Sequence, residues 1–314
     1  MLSTALVMSA ERTWEDKMKK KSQNIFIAIT TLPALLFYSV IFLYPIFRAI
    51  IMSFYRWSGL TSGTEKFIGL RNFEKLLGDE TFWHTLKNSA ILMLIVPTGI
   101  VVLALFFAVL FTRNNYSENN IHRAIFFSPN VLSVVVISML WQLIYHPSLG
   151  IFNTFLKSVG LESLTRVWLG DSKTALLCVA ATMIWSYIGF YLVLFMAGIQ
   201  GIPEHLYEAA VIDGAGETAQ FFKITLPLLW EIMRVSFVLL ISNAFYGALV
   251  FVQVMTNGGP DNASLTVVNY MYNLAFQNSN MGYATAVGVA IFAIGISLSL
   301  AADKISKRET VEFQ

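Results

Sequence analysis

The sequence predicts an all-α integral membrane protein with six transmembrane helices. Three observations favour this fold class: only 13% of the residues are charged, 56% are hydrophobic, and charges are absent from six long stretches. An ordinary soluble domain is about 25% charged and about 45–50% apolar. A chain with so little charge could not stay dissolved as a compact globule, so the lipid bilayer is the expected solvent.

The six charge-free runs mark the expected spans, because about 20 helical residues cross the hydrocarbon core. The runs occupy residues 22–47, 88–112, 124–156, 174–203, 235–260 and 262–302. Within them we place spans at approximately 25–47, 89–112, 124–145, 175–200, 229–254 and 281–302. Non-membrane segments are expected at His146–Lys173 and Asn257–Asn280, where Pro, Gly, Asn and Ser concentrate.

The spans define the domain organisation. We expect a cytoplasmic N-terminal tail over 1–23, a membrane domain over 24–303 and a cytoplasmic C-terminal tail over 304–314. Basic residues within 12–21 predict a cytoplasmic N-terminus by the positive-inside rule, and six spans return the C-terminus to the same side. The first external loop, Arg48–Lys87, is also rich in basic residues, so positive charge is not confined to the inner side.

Several function classes are excluded by residues that the sequence lacks. No Asp, Glu, Lys or Arg lies inside a span, whereas proton-driven transporters usually carry an ionisable relay there. Sodium coupling through backbone carbonyls stays open. No Gly-Lys dipeptide exists for a Walker A loop, the four histidines are far apart, and Cys178 is the single cysteine. We therefore expect no catalytic residues, no metal site and no cofactor in this chain, and a net charge of +2 does not indicate nucleic-acid binding.

The stretch Gly201–Leu228, between the fourth and fifth spans, has the pattern of a helical hairpin. Pro203 suits the first position of a helix. Four residues at helical spacing give that helix a narrow face of low relief that ends in a carboxylate: Leu206, Ala209, Ala210 and Asp213. Gly214 and Gly216 permit a left-handed turn, and a second helix is expected from Glu217 into the fifth span, with Pro227 at the junction. The spacing alone also fits an amphipathic hairpin lying on the membrane surface.

The same stretch carries a longer pattern. Glu208-Ala209-Ala210 is followed after three residues by Gly214, and nine residues later by Ile224 and then Leu226-Pro227. This pattern resembles the EAA loop of permease subunits of bacterial ATP-binding-cassette importers. The resemblance implies that residues 201–228 form a coupling helix that sits in a cleft of a separate ATPase subunit. The residues to which it assigns this coupling role are Glu208, Ala209, Ala210, Asp213, Gly214, Ile224, Leu226 and Pro227.

Two further stretches resemble the carbohydrate branch of that family, and specifically the first of its two permease partners in maltose, glycerol-phosphate and lactose transporters. They are FIGLRNFEKLL at Phe67–Leu77 and TNGGPDNAS at Thr256–Ser264, and the resemblance extends from about Ile25 to Ala302. The chain lacks the extra N-terminal pair of spans found in some maltose-type members. This difference leaves the choice between the two permease positions open.

The resemblance also implies an assembly in the bacterial cytoplasmic membrane. Its partners would be a second permease, two cytoplasmic ATPase subunits that hold ATP and Mg²⁺, and an extracytoplasmic solute-binding protein. A six-helix chain would then enclose half of the pathway for a sugar or oligosaccharide. The alternatives are a stand-alone six-span secondary transporter or channel, and a membrane scaffold without a solute; neither explains the EAA-like loop.

A sugar presents hydroxyls and flat CH faces, so neutral polar groups and aromatic rings are the expected pathway contacts. In the fifth span Asn243, Tyr246 and Gln253 fall roughly on one face, and the fourth span offers Trp185 and Tyr191. Polar groups in membrane helices can instead bond neighbouring helices, and Trp and Tyr near span ends can be interfacial anchors. We predict these five residues as solute contacts, with those alternatives open.

Overall fold

The computed structural model describes residues 26–27, 29–59, 65–113 and 119–306, with only the backbone for 113, 119–120 and 298–306. Among these residues the structure is mostly helical. The chain divides into two compact units. The first unit combines Met1–Leu76 with Asn278–Gln314, and the second is Leu77–Gln277.

Helices dominate both units. In chain order they are α1 Ile29–Met52, α2 Arg71–Leu77, α3 Glu80–Arg113, α4 Asn119–Phe127, α5 Val134–Ile144, α6 Ile151–Ser158, α7 Ala175–Gln200, α8 Glu204–Ile212, α9 Glu217–Gln220, α10 Leu226–Met255, α11 Val267–Tyr272 and α12 Met281–Ser306. Short 3₁₀ turns occur at Ser128–Val131 and Glu162–Leu164, and π turns at Ser39–Leu43, Phe221–Thr225 and Asn273–Gln277. Strands β1 Tyr55–Arg56 and β2 Lys66–Phe67 pair antiparallel.

Four helices of the described residues are long and apolar enough to cross a membrane. They are α1, α3, α7 and the continuous helix Glu217–Met255 that contains α9 and α10. A fifth candidate is a bent pair, Ile121–Val131 with Val134–Ile144. Helix α12 has 26 residues, of which Met281–Ser297 form a shorter apolar helix. The chain is therefore a multi-pass membrane protein, and the count of six spans stays a prediction.

The third predicted span differs from the straight helix expected over 124–145. The two halves of the bent pair meet at 103°. Pro129 lies at the start of the 3₁₀ turn, and Leu132 and Ser133 adopt extended backbone with ψ of 148° and 138°. Proline lacks the N–H that would continue the helical ladder. The two extended residues then redirect the chain into α5.

Helix α3 begins at Glu80, well before the predicted span start at residue 89. The Asp79 carboxylate accepts the backbone N–H groups of Thr81 and Phe82 at 3.0 and 3.2 Å. An aspartate that accepts these bonds is an N-cap, which satisfies donors that the first turn leaves open. The 34 residues of α3 rise about 51 Å, which exceeds the hydrocarbon thickness, so part of the helix projects beyond it.

The core of the second unit lies between α3, α7 and α10, which pack against one another. Its centre is apolar, with Leu92, Ile100, Met183, Leu192 and Phe251 almost fully buried. Lipid tails are as apolar as these side chains, so close packing, and not transfer out of water, holds such helices together. One face of α10 packs in this core, and another face of the same helix is exposed.

The 256–266 loop, between α10 and α11, is anchored to α3. The Asn88 side chain donates to the carbonyls of Asn262, Ala263 and Leu265 at 3.3, 3.1 and 2.9 Å. Four residues of the loop have a left-handed backbone: Asn257, Gly258, Asp261 and Asn262. A side chain from a distant helix therefore replaces the hydrogen bonds that regular structure would supply.

Candidate functional site

Helix α8 forms the first arm of the predicted coupling loop and has nine residues. None of them is buried. The helix follows Pro203, whose ψ of 130° keeps it outside the helix, with Glu204 in the first turn. Glu204 is therefore near the positive end of the helix dipole, as the sequence indicated.

The helix ends at a glycine turn. The N–H of Ala215 donates to the carbonyl of Ala210 at 2.8 Å, and that of Gly214 to Val211 at 3.0 Å. These two bonds make a Schellman motif, in which the residue after the cap is left-handed. Gly214 has a φ of +75°, and a Cβ there would meet no heavy atom within 4 Å. Positive φ, and not close approach within this chain, is what requires glycine here.

Two side-chain hydrogen bonds hold the loop to the base of the long helix. The hydroxyls of Tyr207 and Thr225 are 2.9 Å apart, which joins α8 to the π turn. The Gln220 amide donates to the carbonyl of Ala215 at 3.0 Å, which holds the elbow against α9. Helix α8 is thereby hydrogen-bonded to the base of the helix that continues to Met255.

The loop exposes apolar side chains. Ile212 is 86% exposed, Val211 63% and Phe222 60%. Leu206, on the predicted face, is exposed as well. Apolar residues gathered at the tip of a loop mark an interaction surface or membrane contact more often than an ordinary solvated turn.

The predicted coupling residues divide into two groups. Glu208, Ala209, Asp213 and Gly214 are exposed, and Ala210 is half-buried. Ile224 and Leu226 lie lower, both half-buried, and Leu226 packs against the apolar core of the second unit. The first group is therefore open to a partner, whereas the second joins the loop to the spans.

Pro227 was expected at a junction between two helices. The helix from Glu217 runs on to Met255 through the π turn Phe221–Thr225, and Pro227 lies in the first turn of α10, where the π turn ends. A π turn adds a residue to one helical turn and so changes the hydrogen-bond ladder locally. The proline, which has no N–H to donate, is tolerated beside this irregular turn.

The predicted solute contacts lie on and beside α10. Asn243 and Tyr246 are exposed, Tyr246 by 69%, while the opposite face carries buried Leu240, Ala244 and Ala248. Polar groups are costly against lipid tails. Asn243 and Tyr246, called the polar stripe of α10 below, lie exposed on a helix whose exposed side also carries Val235, Val238 and Leu239.

The other three predicted contacts lie in different surroundings. Tyr191 is buried in α7, within the apolar core of the second unit. Trp185 is 41% exposed, and its ring packs edge-on against Trp141 at 5.5 Å between centroids. Gln253 is half-buried in α10.

Sequence reasoning missed Tyr207, Gln220 and Thr225, which hold the loop in place. The tyrosine and threonine are 18 residues apart, and only the fold brings their hydroxyls together. It also missed Asn88, which lies more than 170 residues from the carbonyls that it binds. The one available signal for Asn88 was its place as a polar residue at the start of the charge-free run 88–112.

The long apolar helices define a multi-pass membrane protein. The chain belongs to the family described as binding-protein-dependent transport system inner membrane component, whose model matches residues 86–311. The prediction of an importer permease is thereby confirmed, and the stand-alone transporter or channel is not favoured. Permeases of this family are not themselves the catalytic subunits of their systems.

Named relatives extend the match over most of the chain. It is 37% identical over 281 residues to the probable ABC transporter permease protein YurN of Bacillus subtilis, covering 88% of this chain and 94% of that protein. It is also 37% identical over 282 residues to the diacetylchitobiose uptake system permease protein NgcF of Streptomyces coelicolor, covering 86% and 79%. The predicted branch, carbohydrate-system permeases, is confirmed by such relatives.

A solved structure shares the fold. A bacterial ABC transporter involved in the import of the acidic polysaccharide alginate superposes with a TM-score of 0.75 over 93% of this chain and 98% of the matched chain. The sequence identity is 22%, so this likeness concerns the fold alone.

Proposed function

We propose that this chain is the membrane-spanning permease subunit of an ATP-driven, binding-protein-dependent importer, and that it forms half of the pathway for a sugar or oligosaccharide. The α8 loop carries the proposal, since an exposed helix with an apolar tip is hydrogen-bonded to the base of a span. The diacetylchitobiose permease among the relatives supports a saccharide as the solute.

The partners follow from the same proposal. A second permease covers the exposed polar stripe of α10, and two cytoplasmic ATPase subunits, which hold ATP and Mg²⁺, receive the 201–228 loop. An extracytoplasmic solute-binding protein delivers the sugar. Support for that partner comes from a bacterial alginate transporter, a fold neighbour with a TM-score of 0.74, solved in complex with an alginate pentasaccharide-bound periplasmic protein.

Co-purification tests the assembly. The chain is purified from its native membrane, bound subunits are identified, and ATP hydrolysis is measured with a panel of oligosaccharides and the binding protein. We expect a second permease, an ATPase subunit and stimulation by one class of saccharide. A chain that purifies alone, or a complex that no saccharide stimulates, would contradict the proposal.

The orientation is part of the proposal: both termini and the 201–228 loop lie on the cytoplasmic side of the cytoplasmic membrane. The two termini, 1–25 and 307–314, lie outside the described residues. Glu217→Cys and Lys75→Cys are made in a Cys178→Ser background and treated with an impermeant thiol reagent from outside. We expect labelling at position 75 and none at 217, and the opposite pattern would overturn the topology.

A further inference from the structure

The first unit contains a basic cavity that neither the coupling loop nor the polar stripe of α10 uses. Its volume is about 550 Å³, which lies in the range of roughly 300–1,000 Å³ that is usual for small-molecule sites. Three cationic side chains line it, together with aromatic, amide and hydroxyl groups, and no carboxylate does. Representative lining residues are Arg56, Arg71, Lys75, Trp57, Asn278 and Tyr283.

Each cation that lines this cavity has a like-charged neighbour in its own strand pair or helix. In the β1–β2 pair Arg56 stands directly opposite Lys66, and on α2 Arg71 precedes Lys75 by four residues. Like charges in either arrangement are destabilising. Arg71 is also the first residue of α2, at the positive end of the helix dipole, where a cation is disfavoured.

Within the described part of the chain, Arg56, Arg71 and Lys75 form no ion pair with a carboxylate. The Lys75 ammonium lies 4.2 Å from the ring centroid of Tyr283, a cation–π contact that holds it at the cavity wall. The cluster is therefore a positive site whose charge an external anion would balance.

The walls of the cavity are held by backbone contacts. Asn72, buried beneath it, donates to the carbonyls of Ser53 and Tyr55 at 2.8 and 3.1 Å. The Gly282 N–H donates to the Trp57 carbonyl at 3.0 Å, and a Cβ on Gly282 would lie 2.1 Å from the Tyr55 oxygen. Only glycine allows α12 to approach β1 so closely, so the site is formed before any ligand arrives.

We propose that this cavity binds a phosphate ester, with the two arginines on the phosphate and the neutral side chains on its organic part. Guanidinium groups match phosphate oxygens in a two-bond geometry, and surrounding amides and hydroxyls suit a hydroxylated substituent. The same chemistry is available from a soluble phosphate compound or from the headgroup of an anionic lipid. This inference does not depend on the proposed transport function.

Thermal unfolding of the full chain in nanodiscs tests the site and separates the two sources. Inorganic phosphate is titrated at constant ionic strength in phosphatidylcholine discs, and phosphatidylglycerol is introduced in a second series. A rise in Tm with free phosphate identifies a soluble ligand. A rise only with phosphatidylglycerol identifies the lipid, and both results support an anion site.

The variants Arg56→Gln and Arg71→Gln should each weaken the apparent affinity roughly tenfold to a hundredfold, as expected for a lost charge-assisted bond. Lys157→Gln, an exposed cation on α6, is the matched control and should bind like the parent.

Without ligand, Arg71→Gln should not lower the Tm, because it removes a like-charge contact; a purely structural arginine would lower it. Should Arg71→Gln fail to fold, Arg71→Lys keeps the charge but loses the two-bond geometry and should bind more weakly than the parent. The proposal would be overturned if the ligand raised the Tm of parent, variants and control equally, or if neither ligand raised the Tm of the parent.

Discussion

Two segments of the second unit, the 256–266 loop and the 201–228 loop, carry family patterns outside the apolar spans but are stabilised in opposite ways. The first is held by three hydrogen bonds from Asn88, and its Ser264 and Thr266 are fully buried. The second has no buried residue in α8 and is joined to its span by the Tyr207–Thr225 contact. The 256–266 loop satisfies its polar groups within the chain and so stabilises the fold. The 201–228 loop leaves the surface of α8 exposed, where a partner could bind.

Asn88→Ala should have the largest effect, because it removes the internal support of the 256–266 loop. A buried carbonyl left without a donor costs about 1–3 kcal/mol, and the Leu265 carbonyl is the buried one of the three, so roughly 1–3 kcal/mol of stability should be lost. Fluorescence size-exclusion chromatography and Tm measure the loss, with Lys87→Gln, the exposed neighbour, as the control. A variant with the Tm of the parent would mean that this loop does not need its anchor.

Gly214→Asp should come next, by uncoupling the complex without unfolding it. The left-handed backbone at Gly214 costs a residue with a side chain only about 1–2 kcal/mol, and no atom within 4 Å obstructs a Cβ. We expect an inserted permease with less bound ATPase subunit and less solute-stimulated hydrolysis.

Gly214→Asn is the matched control for this variant, because its size and tolerance of positive φ are similar while its charge is zero. Activity in the asparagine variant alone would assign the defect to charge beside Asp213, and loss in both would assign it to bulk in the docked interface. Full docking and stimulation in both variants, and also in Glu208→Lys, would mean that 201–228 is not the coupling element.

Asn243→Leu and Tyr246→Ala should produce a smaller effect on the polar stripe of α10. Each lost solute hydrogen bond is worth about 0.5–1.5 kcal/mol, which lowers uptake roughly two- to tenfold while assembly persists. Radiolabelled sugar uptake and the yield of assembled complex are measured together. Normal uptake would show that the stripe does not contact solute, and loss of the complex would identify it as a helix interface.

Tyr207→Phe should have the smallest effect, because it removes only the hydroxyl that bonds Thr225. About 1 kcal/mol of local stability is lost. Helix α8 should therefore still bind the ATPase subunit, but its movement should be passed less completely to the helix Glu217–Met255. We expect unchanged ATPase binding with solute-stimulated hydrolysis reduced a few-fold. Thr225→Val, which removes the other hydroxyl, should match it, and a defect in one variant alone would argue against a shared contact.

Much of the fold was predictable because a membrane helix is marked by a long apolar run without charges, which is a local property of the sequence. The fourth predicted span, 175–200, coincides with α7, since residues 174–203 carry no charge and contain no proline before 203. The third, 124–145, is bent, because Leu132 and Ser133 take an extended backbone that hydropathy does not encode. A left-handed turn was predicted for Gly214 and Gly216 from their place between two helical patterns. Gly214 has positive φ, as predicted, whereas Gly216 is extended, with a φ of −68°.

The sequence by itself determined the solvent, the helical content and the family, because these depend on composition, on charge-free runs and on residues close together in the chain. Tertiary structure decided which polar groups meet. The Tyr207 hydroxyl reaches that of Thr225, Asn88 reaches the 256–266 loop, and Arg56 and Arg71 line one cavity. Such contacts join residues from 15 to more than 170 positions apart, and helical periodicity relates only neighbours within a few turns.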